Sequence, residues 1–359
     1  MKKHISFPSI EKFSNIVTSV NRTYNFVGLD DNGDAIYDYS KPKPVLTFKG
    51  TVKLHGTNAG VCFNTNGGIW AQSRTNIITV DNDNAGFAFF VDSHIEDFKA
   101  LLLEVVNKLD LNCAENTVSI YGEWCGGNIQ KGVAITNLEK SFFIFGVKIS
   151  PIVDSQDAEA VKNNPAYWVD SSYLSKPESR IFNIEDYKTY SIDIDFNTPQ
   201  LSQNNIIDMT LEVEEECPVG KAFGFSGIGE GIVFSHMTSD GKKYTFKSKG
   251  EKHSAKSKVN TLKPVDDARI NQIIGVVNKV TPAWRLEQML EKQFDLINGG
   301  EIDVKQMGAY IKLVISDIIK EETDVLLEAK VEPKDIGKYV SEISRKYFFS
   351  RQNQEAGLN

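Results

Sequence analysis

Pro264 separates two kinds of periodicity, and that division constrains the fold more than any other feature of the chain. From Val45 to about residue 250, apolar residues alternate or come in short runs, as strands do. Val45-Leu46-Thr47-Phe48 follows Lys41-Pro42-Lys43-Pro44, a stretch that forbids helix. Gly60-Val61-Cys62-Phe63 and Gly68-Ile69-Trp70-Ala71 flank a Thr65-Asn66-Gly67 turn and predict a hairpin. Phe98 to Leu109 reads as helix and Val118–Tyr121 as strand, while Phe142–Val147 is an apolar run expected to be buried on both faces. Strands are expected again at Gly231–Phe234 and Tyr244–Phe246. Residues 150–205 read as an irregular polar insertion with one alternating piece at Ile192, Ile194 and Phe196. Ahead of all this, Ile10, Phe13, Ile16, Val17 and Val20 have helical spacing.

Beyond Pro264 the spacing becomes helical throughout. Ile270, Ile273, Ile274 and Val277 fall at i, i+3, i+4 and i+7. Thr281-Pro282 predicts an N-cap with proline at the first helical position, and Gly299-Gly300 a stop. Met307, Tyr310, Ile311, Val314, Ile315 and Ile318 form the strongest amphipathic stripe, and Ile336, Tyr339, Val340, Ile343 and Tyr347 the last. The expected fold class is therefore α+β. Residues 1–260 form a domain of antiparallel sheets with flanking helices, and residues 261–359 an all-helical domain.

The 359 residues are enough for two sizeable cores, and 41% hydrophobic with 25% charged residues is ordinary for a globular protein. No apolar run approaches the roughly 20 residues that span a bilayer, so no membrane association is expected. Met1-Lys2-Lys3-His4-Ile5-Ser6-Phe7-Pro8 lacks the apolar core of a signal peptide. Cys62, Cys113, Cys125 and Cys217 are scattered, which fits reduced thiols in a cytoplasm. A net charge of −8 argues against non-specific coating of nucleic acid. Yet Lys242, Lys243, Lys247, Lys249, Lys252, Lys256, Lys258 and Lys263 are opposed only by Glu251, a stretch suited to phosphates or to a solvated face.

Five short elements carry chemistry. In order they are Lys53-Leu54-His55-Gly56-Thr57-Asn58, Ser73-Arg74, Tyr121-Gly122-Glu123 through Gln130-Lys131-Gly132 with the Phe142–Phe145 strand, Glu230-Gly231-Ile232-Val233-Phe234, and Phe246-Lys247-Ser248-Lys249. Each alone is weak. A lysine acts as a nucleophile only when its pKa falls from about 10.4, which nearby cations and desolvation bring about. One lysine next to a glycine turn, with a second lysine pair from a distant strand, fits that requirement.

This set resembles the covalent nucleotidyltransferases, and within them most closely the RNA ligase 2 family of ATP-dependent enzymes that seal nicks in duplex RNA. The resemblance rests on His55 followed by Gly-Thr-Asn, on the Ile129-Gln130-Lys131 extension, on Lys249-Gly250-Glu251-Lys252-His253-Ser254, and on the helical tail from Met307 to Thr323. It covers roughly 45–350 and is weakest across 150–205. It implies that residues 1–260 are a nucleotidyltransferase domain in which Lys53 attacks the α-phosphorus of ATP to form lysyl-AMP. It further implies that Lys247 and Lys249 contact the α-phosphate and depress the pKa of Lys53. Glu123 would accept from the ribose, and Phe145 would stack on adenine unless Phe143 takes that place. Glu230 would order magnesium (or manganese) or orient Lys53. Arg74 would bind phosphate, and His55 and Asn58 would line the pocket. Val52 stands where relatives often carry a glutamate, so base contact at that position falls to Thr51 or backbone carbonyls. The implied partner is nicked double-stranded RNA or RNA ends, met by a monomer in a cytoplasm, the host's if the gene is a phage's.

Other chemistries lack their residues. Gly224–Gly231 has no Gly-Lys-Ser/Thr ending, no Gly-x-Gly-x-x-Gly opens a βαβ unit, and no zinc-like spacing occurs. The competing readings are a DNA ligase, a capping-type nucleotidyltransferase, and a catalytically silent RNA-binding module. The first two usually carry a C-terminal β-barrel, which a helical tail does not supply.

Overall fold

The computed structural model describes residues 2–29, 33–154, 156–254, 262–296 and 299–355. In chain order its strands are β1 (Phe26–Leu29), β2 (Ala35–Tyr37), β3 (Val45–Lys53), β4 (Thr57–Asn64), β5 (Gly68–Ser73), β6 (Ile77–Ile78), β7 (Asn116–Cys125), β8 (Ser141–Pro151), β9 (Tyr167–Val169), β10 (Ile181–Asn183), β11 (Thr189–Asp195), β12 (Gly231–Met237) and β13 (Lys243–Lys249). The chain divides into two compact units. One holds Met1–Ile16, Leu46–Ile194 and Asn204–Lys263; the other holds Val17–Val45, Asp195–Gln203 and Pro264–Asn359.

The first unit contains two sheets. A seven-stranded sheet runs β10-β8-β7-β4-β5-β6, with β9 sharing the outer edge of β8. Its apolar face carries Val61, Ile120, Trp124, Phe142 and Val147, and the helices Phe87–Ser93 and Ile95–Leu109 cover it with Phe87, Phe98, Leu101 and Val105. Phe142 sits 5.0 Å from Phe87, ring centre to ring centre. The four-stranded sheet runs β11-β3-β12-β13. Its apolar face buries Phe48, Val52, Ile232, Phe234 and Phe246, and the ring centres of Phe234 and Phe246 stack 5.0 Å apart. The helix Gln203–Glu215 approaches this sheet through a 2.8 Å hydrogen bond from Thr210 Oγ1 to Ser248 Oγ.

The segment 150–205 departs from the irregular insertion expected of it. Its three-residue strands β9 and β10 pair with β8, and β11 closes an edge of the second sheet. β10 runs parallel to β8, so the larger sheet is mixed rather than wholly antiparallel. The first helix also starts later than its spacing suggests, at Phe13. Glu11 instead forms a parallel bridge to Phe246 on the outer edge of β13.

The second unit is a helical core with the β1–β2 hairpin. Helices Asp267–Val280, Ala283–Phe294, Met307–Glu321 and Pro333–Glu355 bury Val277, Leu290, Tyr310, Val314, Val340 and Phe348 together. Pro282 is the N-cap of the second helix rather than its first residue, and that helix ends at Phe294, where Asp295 turns left-handed. Arg285 is buried in this unit. It donates to Val280 O at 2.5 Å and pairs with Asp317 at 3.1 Å and Glu322 at 2.6 Å. Among the described residues, no helix is long and apolar enough to cross a membrane.

Candidate active site

Register places the lysines. β12 lies between β3 and β13, and Gly231 is opposite both Lys53 and Lys249. Paired residues in a ladder share a face, so Lys53, Gly231 and Lys249 form one row, with Thr51, Val233 and Lys247 in the next. Gly231 fits because its φ is +143° and a Cβ there would lie 2.1 Å from Ser248 O. A side chain would push the two lysine-bearing strands apart. Leu54-His55-Gly56 then carries the chain from the small sheet to the large one, where β4 begins. Gly56 is needed at this step, since a Cβ would meet Trp124 O at 2.4 Å.

In the large sheet Asn58 pairs with Glu123, and Glu123 with Phe143. Their face turns toward the lysine rows. At one end the Gly56 N–H donates to Glu123 Oε1 at 2.8 Å, and at the other the Trp168 N–H donates to Gly241 O at 2.9 Å. A cleft therefore runs between the sheets.

Glu230 is the electrostatic centre of the cleft. It is 3% exposed, and its Oε2 accepts from Lys53 Nζ at 2.7 Å and lies 3.4 Å from His55 Nδ1. Its Oε1 faces Lys249 Nζ at 2.6 Å. Burial works to raise this carboxyl, but the His55 hydrogen bond and the charges of Lys53 and Lys249 overcome it and hold it well below the usual carboxylate range. Glu123 has the opposite balance. Burial pushes it up to about 7, against the pull of Lys53 and the Gly56 hydrogen bond. Burial lowers the pKa of Lys247, and the nearby charges of Lys249, Lys53 and Arg74 lower it further.

The structure thus gathers Lys53, His55, Glu230 and Lys249 in direct contact, with Lys247 one row away and Glu123 and Asn58 on the facing wall. Arg74 is exposed and donates to Ser9 Oγ at 3.3 Å. Phe145 and Phe143 separate in a way that strand parity does not predict. Tyr121 pairs with Gly146 and Gly122 with Ile144, so Phe145 is the extra residue of a β-bulge. It is half-buried, and its ring lies 5.1 Å from Phe7. Phe143 is fully buried against Phe182, Tyr187 and Phe223. Val52 sits opposite Ile232 in the core, on the other side of β3 from Lys53, so its side chain does not face the cleft. Lys256 and Lys258 of the basic stretch lie outside the described residues.

The segment from His4 to Glu11 was not legible as part of the site. It crosses the cleft face from Ser73, bound by His4, to β13, where the Lys247 N–H donates to Glu11 O at 3.2 Å. Tyr121 Oη donates to Ile5 O at 2.6 Å along the way. Nothing in the spacing of Phe7-Pro8-Ser9 signals such a course.

Among the described residues, no cluster of three or more His, Cys, Asp or Glu side chains is placed to hold a metal ion. Solved structures with a similar chain include an RNA ligase of Naegleria gruberi with PPi, at 17% identity and a TM-score of 0.39, covering 71% of this chain and 58% of that one. A mutant of the same ligase with ATP and Mn matches with the same four values, and another with AMP and Mn at 16% identity and a TM-score of 0.39, with the same coverage of each chain. The chain thus spans 58% of the length of these structures. No curated protein matches it. The family model described as RNA ligase matches residues 47–256, more than half of the chain and the whole run from the lysine-bearing β3 to β13. With both walls of the cleft inside that match, the chain belongs to the RNA ligase family.

Proposed function

We propose that the chain is an ATP-dependent RNA ligase that works through a lysyl-adenylate on Lys53. The observation that carries this reading is the buried Glu230 carboxylate ringed by Lys53, His55 and Lys249. One carboxylate cannot neutralise three basic groups, with Lys247 beside them. The surplus positive charge faces an open cleft, where a polyphosphate supplies the missing anions.

In the first step Lys53 Nζ forms a bond to the α-phosphorus of ATP, the bond to pyrophosphate breaks, and the amine gives up a proton. Lys249 and Lys247 are placed to receive the charge that develops on the α-phosphate. As Lys249 turns to the phosphate, Glu230 loses one of the cations holding its basicity down. Its hold on the Lys53 proton, across 2.7 Å, rises accordingly. Glu123 takes the ribose hydroxyls, and Phe145 offers its half-exposed ring to the base. In the second step an oxygen of an RNA 5′-phosphate takes AMP from Lys53. In the third a 3′-hydroxyl oxygen displaces AMP and closes the strand.

A single ionised carboxylate beside a polyphosphate is a donor set that suits magnesium, and manganese in its place; Glu230 would hold it and the metal would neutralise phosphate charge. The substrate is a nick in duplex RNA, held by a monomer and read through A-form shape and 2′-hydroxyls. The test is transfer of label from α-labelled ATP to protein that survives denaturation, followed by sealing of nicked RNA. GTP and nicked DNA offered in parallel separate capping and DNA-ligase activities. If Lys53→Ala takes label as well as the wild type does, the assignment of the nucleophile is wrong.

A further inference from the structure

Two cations of the cleft are not used by the chemistry at Lys53. Lys148 lies on β8 beside Trp168 of β9, and Lys243 projects from β13 on the facing wall. Their ammonium nitrogens stand 5.7 and 5.3 Å from the centre of the Trp168 ring. Gly146 keeps the place open, since a Cβ there would lie 3.2 Å from the indole and 3.7 Å from Lys243 Nζ. Both lysines and the indole are half-buried.

Neither ammonium is in an ion pair among the described residues. Glu185 acts on Lys243, but Lys49 already engages that carboxylate. Burial pulls both lysines below the ordinary lysine pKa. Partly buried charges without a counter-ion are costly, and one shared indole repays only part of that cost. An arriving anion relieves both at once.

Position decides which anion. Lys243 shares its strand face with Lys247 and Lys249, four and six residues on, or roughly 13 and 20 Å at strand rise. That is beyond the span of one nucleotide's triphosphate. It matches several nucleotides of helical rise along a strand. The indole itself is packed against Phe7 and Tyr121, ring centres 5.6 and 5.9 Å away, so the two ammonium groups rather than a stacked base make the contact. We infer that Lys148, Trp168 and Lys243 form a subsite for a backbone phosphate of the RNA strand, several nucleotides from the reacting phosphate. This rests on the ligase reading above.

The test is equilibrium binding of a nicked RNA duplex between 50 and 200 mM salt, with ATP binding measured alongside. It compares the wild type with Lys148→Gln, Lys243→Gln and the double variant. Each single variant is expected to bind RNA roughly three- to tenfold more weakly, with a salt slope less steep by about one per lysine. ATP affinity should move by less than about twofold, and Lys148→Arg or Lys243→Arg should keep the wild-type slope. An unchanged RNA slope in the double variant overturns the subsite, and an equal loss for ATP assigns the anion to the nucleotide instead. A wild type that seals nicks while the double variant keeps its RNA affinity sinks this inference alone. A wild type that neither takes label nor binds RNA sinks the ligase reading and the subsite with it.

Discussion

Each unit of the molecule buries one charge among groups of opposite sign, and the two arrangements differ in where those groups end. Glu230 is 3% exposed and faces Lys53, His55 and Lys249; Arg285 is 4% exposed and faces Asp317 and Glu322. Arg285 also donates to Val280 O, so its terminal nitrogens are held by fixed neighbours within the helical core. Around Glu230 the surplus is carried by long side chains that end in a cleft. A buried ion whose partners are fixed within a packed core locks a fold, whereas one whose surplus partners end in a cleft leaves charge for a ligand. The difference lies in the outlet, not in burial.

Substitutions can break this contrast. The largest effect is expected for Lys53→Ala, which should lower adenylate labelling by at least about 10³-fold with little change in thermal melting. Arg285→Met should do the reverse. It should cost about 3–5 kcal/mol of stability, read by denaturant titration, because two acids lose their partner. Adding Asp317→Leu and Glu322→Leu should recover most of that loss. Labelling by the folded Arg285→Met protein should stay near wild type, and a collapse of labelling would show that the lock is more than structural. Glu230→Gln comes next, with labelling slower by roughly 10²-fold as Lys53 and Lys249 lose their shared anchor.

The smallest effect sharpens the comparison through pH. Burial raises Glu123 in the folded state to about 7, from an ordinary 4.5. Its protonated form therefore supports folding fully below the unfolded value, and that support is lost as pH rises through about 7. Binding of a ribose hydroxyl wants the ionised form, so nucleotide affinity should climb over the same window. Glu123→Gln should flatten both trends, and a wild-type profile without slope near neutrality would remove Glu123 from the nucleotide wall.

Much of the site was legible because its parts sit at strand ends in a recognisable order. Lys53-Leu54-His55-Gly56 and Glu230-Gly231 are separated by 177 positions in the chain, yet Lys53 and Glu230 touch. What spacing does not convey is register. Phe143 and Phe145 have equal parity, and only the bulge at Phe145 leaves one half-buried at the cleft and sends the other into a closed aromatic cluster. The three-residue strands β9 and β10 are too short to show a period, so 150–205 reads as loop although it completes the larger sheet. Trp168, and with it the environment of Lys148 and Lys243, was hidden for that reason. The helical unit was easier, since stripes such as Tyr310, Ile311, Val314 and Ile318 depend on local spacing alone.

The row that joins Lys53, Gly231 and Lys249 also bears on how such a chain can diverge. Adding or deleting one residue within β3, β12 or β13 would reverse the facing of every later position in that strand, and in β3 or β13 it would turn Lys53 or Lys249 into the apolar layer. Length variation is therefore barred from these three strands. It is left to connections such as the β12–β13 turn, where drift can lengthen the chain without moving Lys53.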